Sequence, residues 1–369
     1  MKIGLLGFGV VGRGVYDILR SREDMQVAKV LCLEDISLPD AEAVKDFSQI
    51  LNDASIDTVV EAMGGLHPAY EFVRAALEAG KNVVTSNKAL VCSFYDELLP
   101  LAESKNLKFR STAAVGGGIG WLSELERARR VQTINKVGGI MNGTCNYILD
   151  NMTRQGLDYS VVLKQAQALG YAEANPSTDV DGIDTWHKVI LSANIAFGVS
   201  LDHASVPVAG IRNIQAIDVE NFKAKGLVCK MISTAKRTET GYCAYVQPTL
   251  VQEGQPEAAV PMNYNLITFE GDTSGRMSFF GQGAGRYPTA YNVVQDLVDV
   301  LEGKGFYAPY GETVSAVNEE TLSWYVRGNW PGEIAETLNG AVLTKPVAVN
   351  EMHAWLKENP EAFAAAIAE

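Results

Sequence analysis

No apolar run in this sequence approaches the ~18–20 residues that a membrane-spanning helix needs, so no membrane partner is expected. Cysteine is sparse. Cys32, Cys92, Cys145, Cys229 and Cys243 are scattered and odd in number, and no two are spaced Cys-x-x-Cys. Neither a disulfide framework nor a zinc site is indicated, and reduced thiols in a cytoplasmic protein are the expectation. The four histidines form no ligand cluster. Positive charge is also short: 31 Lys and Arg against 44 Asp and Glu leave a formal net charge of −13. That argues against nucleic acid as a partner, because phosphate binding needs basic surface. The opening Met1-Lys2-Ile3-Gly4-Leu5 lacks a signal-peptide cleavage pattern. What remains is a 369-residue chain, 47% apolar and 20% charged, which is the composition of a globular protein with two or three domains.

Lys2 to Leu6 reads as a short strand, followed by Gly7-Phe8-Gly9-Val10-Val11-Gly12 and a helical pattern through Val15, Ile18 and Leu19. Strand, Gly-x-Gly-x-x-Gly and helix together form a dinucleotide fingerprint. The first glycine makes the turn, the second admits the pyrophosphate, and the third lets helix and strand pack closely. A second strand, Val27–Leu33, ends at Glu34-Asp35. An acid there meets the ribose 2′-hydroxyl of NAD and repels a 2′-phosphate. No Arg or Lys occupies that turn in the sequence, so NAD is preferred over NADP. A residue merely starting a loop is the bland alternative for Asp35.

Strands at 56–62 and 82–85, with a helix from about Pro68 to Ala79 between them, predict a parallel sheet covered on both faces. Ser86 and Lys88 fall at a strand end, where such folds bind ligands. Lys88 reads equally as a site residue or an exposed loop lysine. A helix is expected near Ser93–Ser104 and a strand over Leu107–Thr112. The run Val115-Gly116-Gly117-Gly118-Ile119-Gly120 suits a close backbone approach to a ligand or cation, or a hinge. Gly281 to Ala290 is a second glycine-rich loop opening a helix, consistent with another approach to the cofactor.

Between Gly170 and Lys188 the acids Glu173, Asp179, Asp181 and Asp184 precede one lysine. Pro176 argues against helix over Pro176–Thr178, so a helix is expected to start near Asp181 or Gly182. Asp184 and Lys188 are then one turn apart on one face. An isolated pair of this kind is usually a surface ion pair. Apolar flanks and the neighbouring acids suggest instead an enclosed, proton-carrying lysine beside a pocket for an ammonium group.

In this order, Gly7–Gly12, Ser86-Asn87-Lys88, Ala114–Ile119, Asn142-Gly143-Thr144, Gly170–Lys188 and Gly283–Ala290 resemble the homoserine dehydrogenase family over about residues 1–305. The resemblance implies an α/β fold: a Rossmann-like dinucleotide-binding domain with a second α/β catalytic and dimerisation domain. It implies NAD(P)-dependent interconversion of L-homoserine and L-aspartate 4-semialdehyde, in threonine and methionine biosynthesis, by a homodimer or homotetramer. Lys188 would be the proton carrier. Gly170, Glu173, Asp179 and Asp184 would bind substrate. Lys88 would lie near nicotinamide and substrate, and Gly285 would be the late cofactor glycine. Carbonyls of Val115, Gly117 and Ile119 would hold a sodium ion, although Thr112 stands where the family often has glutamate. Competing readings are a dehydrogenase of another small amino acid and an inactive nucleotide-binding paralogue. The expected domains are 1–112 with the helix at about 288–305, then 113–287, then an extension at 306–369. Within that extension, Leu322–Arg327 with Trp330-Pro331-Gly332 resembles the start of an ACT domain. The remaining length is too short for a full βαββαβ unit, so a truncated remnant without threonine sensing is expected.

Overall fold

The structure, a computed structural model, describes residues 1–305 and 311–368. The chain forms two compact units. One comprises Met1–Arg130 and the segment from Gln282; the other comprises Val131–Gly281 and the residues from Gly311. The boundary expected at 306 lies outside the described residues.

The first unit opens with β1 (Lys2–Leu6), α1 (Val10–Leu19), β2 (Gln26–Leu31), β3 (Glu42–Val44), α2 (Ser48–Leu51) and β4 (Thr58–Glu61). It continues with α3 (Ala69–Glu78), β5 (Asn82–Thr85), α4 (Lys88–Ser104), β6 (Phe109–Arg110) and α5 (Trp121–Ala128). Its six strands are parallel, in the order β3-β2-β1-β4-β5-β6. Val59, Val60, Val83 and Val84 are wholly buried, as continuous apolar runs must be in strands covered on both faces. The order reverses between β1 and β4, which opens a crevice beyond their carboxyl ends.

Three boundaries differ from the sequence reading. β2 stops at Leu31. The helix expected from Ser93 begins at Lys88, because the Asn87 side chain caps it by accepting from the Leu90 amide at 3.2 Å. The strand expected over Leu107–Thr112 is only two residues long. The Thr112 amide donates to Asp296 at 2.7 Å, and Thr112–Ala114 turns as a 3-10 helix. The helix α5 belongs to this unit, tied to β6 by the bond from Arg110 to Ser123 at 3.0 Å.

The second unit begins with β7 (Ile134–Ile140), α6 (Gly143–Gln155), α7 (Tyr159–Ala168), α8 (Ser177–Val180), α9 (Ile183–Phe197) and β8 (Ser200–Leu201). It continues with α10 (Ala216–Ala224), β9 (Leu227–Thr238), β10 (Gly241–Gln252), β11 (Tyr264–Gly271) and β12 (Gly275–Gln282). The short α8 corrects the expectation of a non-helical run at 176–178. Pro176 stands just ahead of its first turn, where a missing N–H costs nothing. The chain then returns to the first unit as α11 (Arg286–Leu301). This helix packs on α1 where Gly14 leaves no side chain: a Cβ there would lie 2.8 Å from the Arg286 carbonyl oxygen.

The last segment runs through β13 (Thr313–Val314), β14 (Thr321–Leu322), β15 (Trp324–Arg327), β16 (Ile334–Leu338), β17 (Ala341–Thr344), β18 (Val347–Ala348), α12 (Val349–Glu358) and β19 (Phe363–Ile367). Two short pairs stand apart, β14 with β18 and β13 with β8, and the other strands of the segment join the sheet of the second unit. A nine-stranded sheet runs β12-β11-β7-β9-β10-β19-β15-β17-β16, with β19 parallel to β10 and antiparallel to β15. Trp324, Val326, Val349 and Met352 form a core with Cys243 and Tyr245 of β10.

On α12, His353 is 8% exposed and its Nε2 faces Gln247 Oε1 at 2.9 Å, beside the Trp324 ring. Burial pulls its pKa from 6.5 down to about 4. The unfolded chain therefore binds one more proton between these values. The resulting stability, about 3 kcal/mol, is fully present above pH 6.5 and is lost as the pH falls through 4. Urea denaturation from pH 4 to 7 is expected to show that loss, and His353→Gln should flatten it.

Candidate active site

The fingerprint glycines of the first unit do different work. Gly7 has φ +92°, and a Cβ on it would lie 2.8 Å from the Ala62 carbonyl oxygen. Gly12 cannot carry one either, since it would lie 2.1 Å from the Gly7 carbonyl oxygen. Gly9 faces open space, as a position admitting a pyrophosphate must. Phe8 packs edge-on to Tyr16, and the Arg13 guanidinium lies over its ring. Val10 is exposed and Val11 half-buried at the start of α1. A cavity of about 750 Å³ extends from Gly7 and Gly9 to Glu34, Lys45 and Met63. Glu34 stands in its wall. The sequence offered no cation in that turn, yet folding brings two. Arg13 reaches Glu34 at 3.2 Å and Lys45 reaches Asp35 at 2.9 Å.

Beyond β4 and β5 a polar network joins the two strand-end loops. Buried Glu61 accepts from the Met63 amide at 2.8 Å and from the Thr85 hydroxyl at 2.5 Å. The Asn87 amide group donates to the Gly65 carbonyl at 2.6 Å. This fixes Ser86 and Lys88, both half-buried, at the start of α4. Gly285 has φ +121° and immediately precedes α11, a second helix start of the kind suited to phosphate.

In the second unit α9 buries its acid–lysine pair. Lys188 is 7% exposed, and its Nζ lies 2.7 Å from Asp184 Oδ2 and 2.7 Å from the Met141 carbonyl oxygen to which it donates. This is not a solvated surface pair. Asn142 Nδ2 donates to Asp184 at 2.8 Å and to Asp179 at 2.7 Å. Burial, then the charge of Asp184, pushes the Asp179 carboxyl up from its ordinary value. Cys145 closes the group by donating to the Asp179 carbonyl at 3.2 Å. Gly170 has φ +74° and ends α7, and Glu173 is exposed on the following loop. The structure thus gathers Asp179, Asp184 and Lys188 and places Glu173 at the rim. Asn142 is the residue that sequence reasoning passed over. Its only sequence signal was the Asn142-Gly143-Thr144 motif ahead of a helix that it also caps.

Residues 121–298 match the family model for homoserine dehydrogenase, and residues 7–111 match that for the homoserine dehydrogenase NAD-binding domain. The homoserine dehydrogenase of a Synechocystis species is 36% identical over 317 residues, covering 82% of this chain and 73% of its own. The chain belongs to the homoserine dehydrogenase family. A Pseudomonas aeruginosa homoserine dehydrogenase is 37% identical over 313 residues, 82% of this chain and 72% of its own. The crystal structure of the Thiobacillus denitrificans homoserine dehydrogenase superposes with a TM-score of 0.88 at 29% identity. It covers 100% of this chain and 98% of that one. As a homoserine dehydrogenase family member the chain has a nicotinamide dinucleotide as cofactor and an amino acid as substrate. No helix of the described residues is long and apolar enough to cross a membrane.

The fit of the resemblance's monovalent cation can be tested on the glycine run. Val115 and Ile119 are buried. The Gly117 carbonyl already accepts from Asn292 Nδ2 at 2.5 Å, and the Ile119 carbonyl from the Trp121 amide at 2.7 Å. Two of the three expected ligands are therefore engaged by protein donors. Thr112, in the place of the family's glutamate, donates its hydroxyl to Asp296 at 2.6 Å. Among the described residues no group of three His, Cys, Asp or Glu side chains could hold a metal ion.

Proposed function

We propose that this protein interconverts L-homoserine and L-aspartate 4-semialdehyde, with Lys188 carrying the hydroxyl proton. The observation behind this is a buried lysine 2.7 Å from Asp184, in a cluster with Asp179, Asn142 and Cys145. In the oxidative direction Lys188 accepts the proton from the substrate hydroxyl; in the reductive direction it returns one to the carbonyl oxygen. Asp184, held from the far side by Asn142, orients Lys188. Asp179 and Glu173 anchor the substrate ammonium, and Gly170 leaves room beside them. The bound nicotinamide supplies the hydride acceptor. Gly7, Gly9, Gly12 and Gly285 would hold the dinucleotide, with Lys88 near its reactive end.

Glu34 favours NAD, because its carboxylate suits a ribose hydroxyl and repels a 2′-phosphate. Arg13 and Lys45 beside it keep that preference modest. Initial rates of homoserine oxidation with NAD and NADP test both points. Turnover of homoserine, higher kcat/KM with NAD, and a rise of about tenfold, or ~1.4 kcal/mol, in kcat/KM for NADP on Glu34→Gln are expected. NAD binding without turnover would overturn the catalytic reading.

A second copy of this chain is the proposed cover for the sheet face of the second unit where partly exposed Ile232 and Tyr264 border the buried Ile140 and Leu266. Exposed Phe280 stacks on Tyr264 there, and such a patch favours association. The C-terminal strands would then act as part of that sheet, and no threonine-sensing role is assigned to them.

A further inference from the structure

We infer that the side-chain amide of Asn292 takes the structural place of the family's monovalent cation, so that this chain holds its glycine loop without sodium or potassium. Asn292 lies on α11 and is 3% exposed. Its amide meets the Gly117 carbonyl oxygen at 2.5 Å. The orientation of that amide is forced. Two carbonyl-type oxygens cannot sit this close without a proton between them, so the NH2 end faces Gly117. Its N–H dipole then presents positive charge to an oxygen that a cation would otherwise claim.

The loop has little room to turn this oxygen elsewhere. Gly117 has φ +48°, and a Cβ on it would lie 2.5 Å from the Gly283 carbonyl oxygen. The Gly118 amide is bonded to the Gln282 carbonyl at 3.0 Å, and the Ile119 carbonyl accepts from Trp121. One helical turn beyond Asn292, Asp296 takes both the amide and the hydroxyl of Thr112 at 2.7 and 2.6 Å. The middle of the glycine run and Thr112, three residues ahead of it, are thus tied to α11 by side chains of that helix. A buried amide donor and a buried carboxylate supply the linkage that a bound ion and a glutamate would otherwise provide.

The test is a cation titration at matched ionic strength, with sodium, potassium or choline chloride, on the full chain. Thermal unfolding and sodium NMR line broadening are the readouts, and neither depends on which substrate is turned over. Wild type is expected to melt within about 1 °C in all three salts and to broaden the sodium signal no more than a non-binding protein. Asn292→Ala is expected to melt higher in sodium than in choline, with a saturable rise, as ligand linkage requires. Asn292→Ser, a smaller change that also removes the long donor, serves if the alanine variant does not fold. A saturable sodium or potassium effect on wild type would overturn the inference. So would a folded Asn292 variant that stays indifferent to both ions.

Discussion

Lys188→Met is expected to lower kcat for homoserine oxidation by about 10²–10⁴-fold, the range of general acid–base catalysis. Methionine keeps the length and apolar stem of a side chain that is 7% exposed, so packing survives while the proton carrier is lost. Affinity for the dinucleotide, held by residues of the first unit, should stay within about twofold. The variant leaves Asp184 without its cation, but Asn142 still donates to it at 2.8 Å. Some loss of stability is therefore expected, and circular dichroism must show that the variant is folded. Lys188→Arg separates charge from proton transfer. Guanidinium keeps the positive charge beside Asp184 and cannot act as a base near neutral pH. It should be as slow as Lys188→Met. If either variant oxidised homoserine at a rate close to wild type, another group would have to move the proton.

Asp296→Asn is expected to be the most damaging single change for stability, at about 3–5 kcal/mol, as for a buried pair that loses one partner. Asp296 is 1% exposed and receives Arg110 Nε at 3.0 Å together with both donors of Thr112. Burial pushes its carboxyl above the ordinary value, and Arg110 offsets only part of that rise. Without the carboxylate, Arg110 keeps Asp299 at 2.9 Å and the Gly305 carbonyl at 2.9 Å, but its closest buried anion is gone. A melting temperature lower by about 10 °C is the expected readout. Asp299→Asn is the control. That carboxylate is 29% exposed, and its removal should cost under about 1 kcal/mol. Equal losses in the two variants would mean that burial does not decide the energetics here.

Periodicity and local motifs were enough to read the parallel sheet, the glycine fingerprint and the acid–lysine turn. Each rests on neighbours within one strand, one loop or one helical turn. What escaped depends on partners far apart in the chain. Arg110 and Asp296 meet across 186 residues, and Asn292 and Gly117 across 175. Neither spacing leaves a local signature. Arg13 and Lys45 reach Glu34 and Asp35 from a helix and a loop on either side of them, so no cation shows in the turn itself. Asn142 looked like a helix cap, and it is one. Its second task, bridging two acids 37 and 42 residues later, appears only once α9 is laid beside the start of α6. The errors at Pro176 and Ser93 were of another kind. There a boundary residue acted as a start signal where a breaker or a late start had been read.

The nine-stranded sheet has an awkward seam. An interior position, between β10 and β15, is filled by β19, made long after β7, β9, β10 and β11. During synthesis these earlier strands must wait on the ribosome with a raw margin at β10, able to pair with any extended segment nearby. The second unit can therefore complete its sheet only once residue 367 has emerged, and until then that margin is where a nascent chain of this protein is most exposed to pairing with a neighbour's.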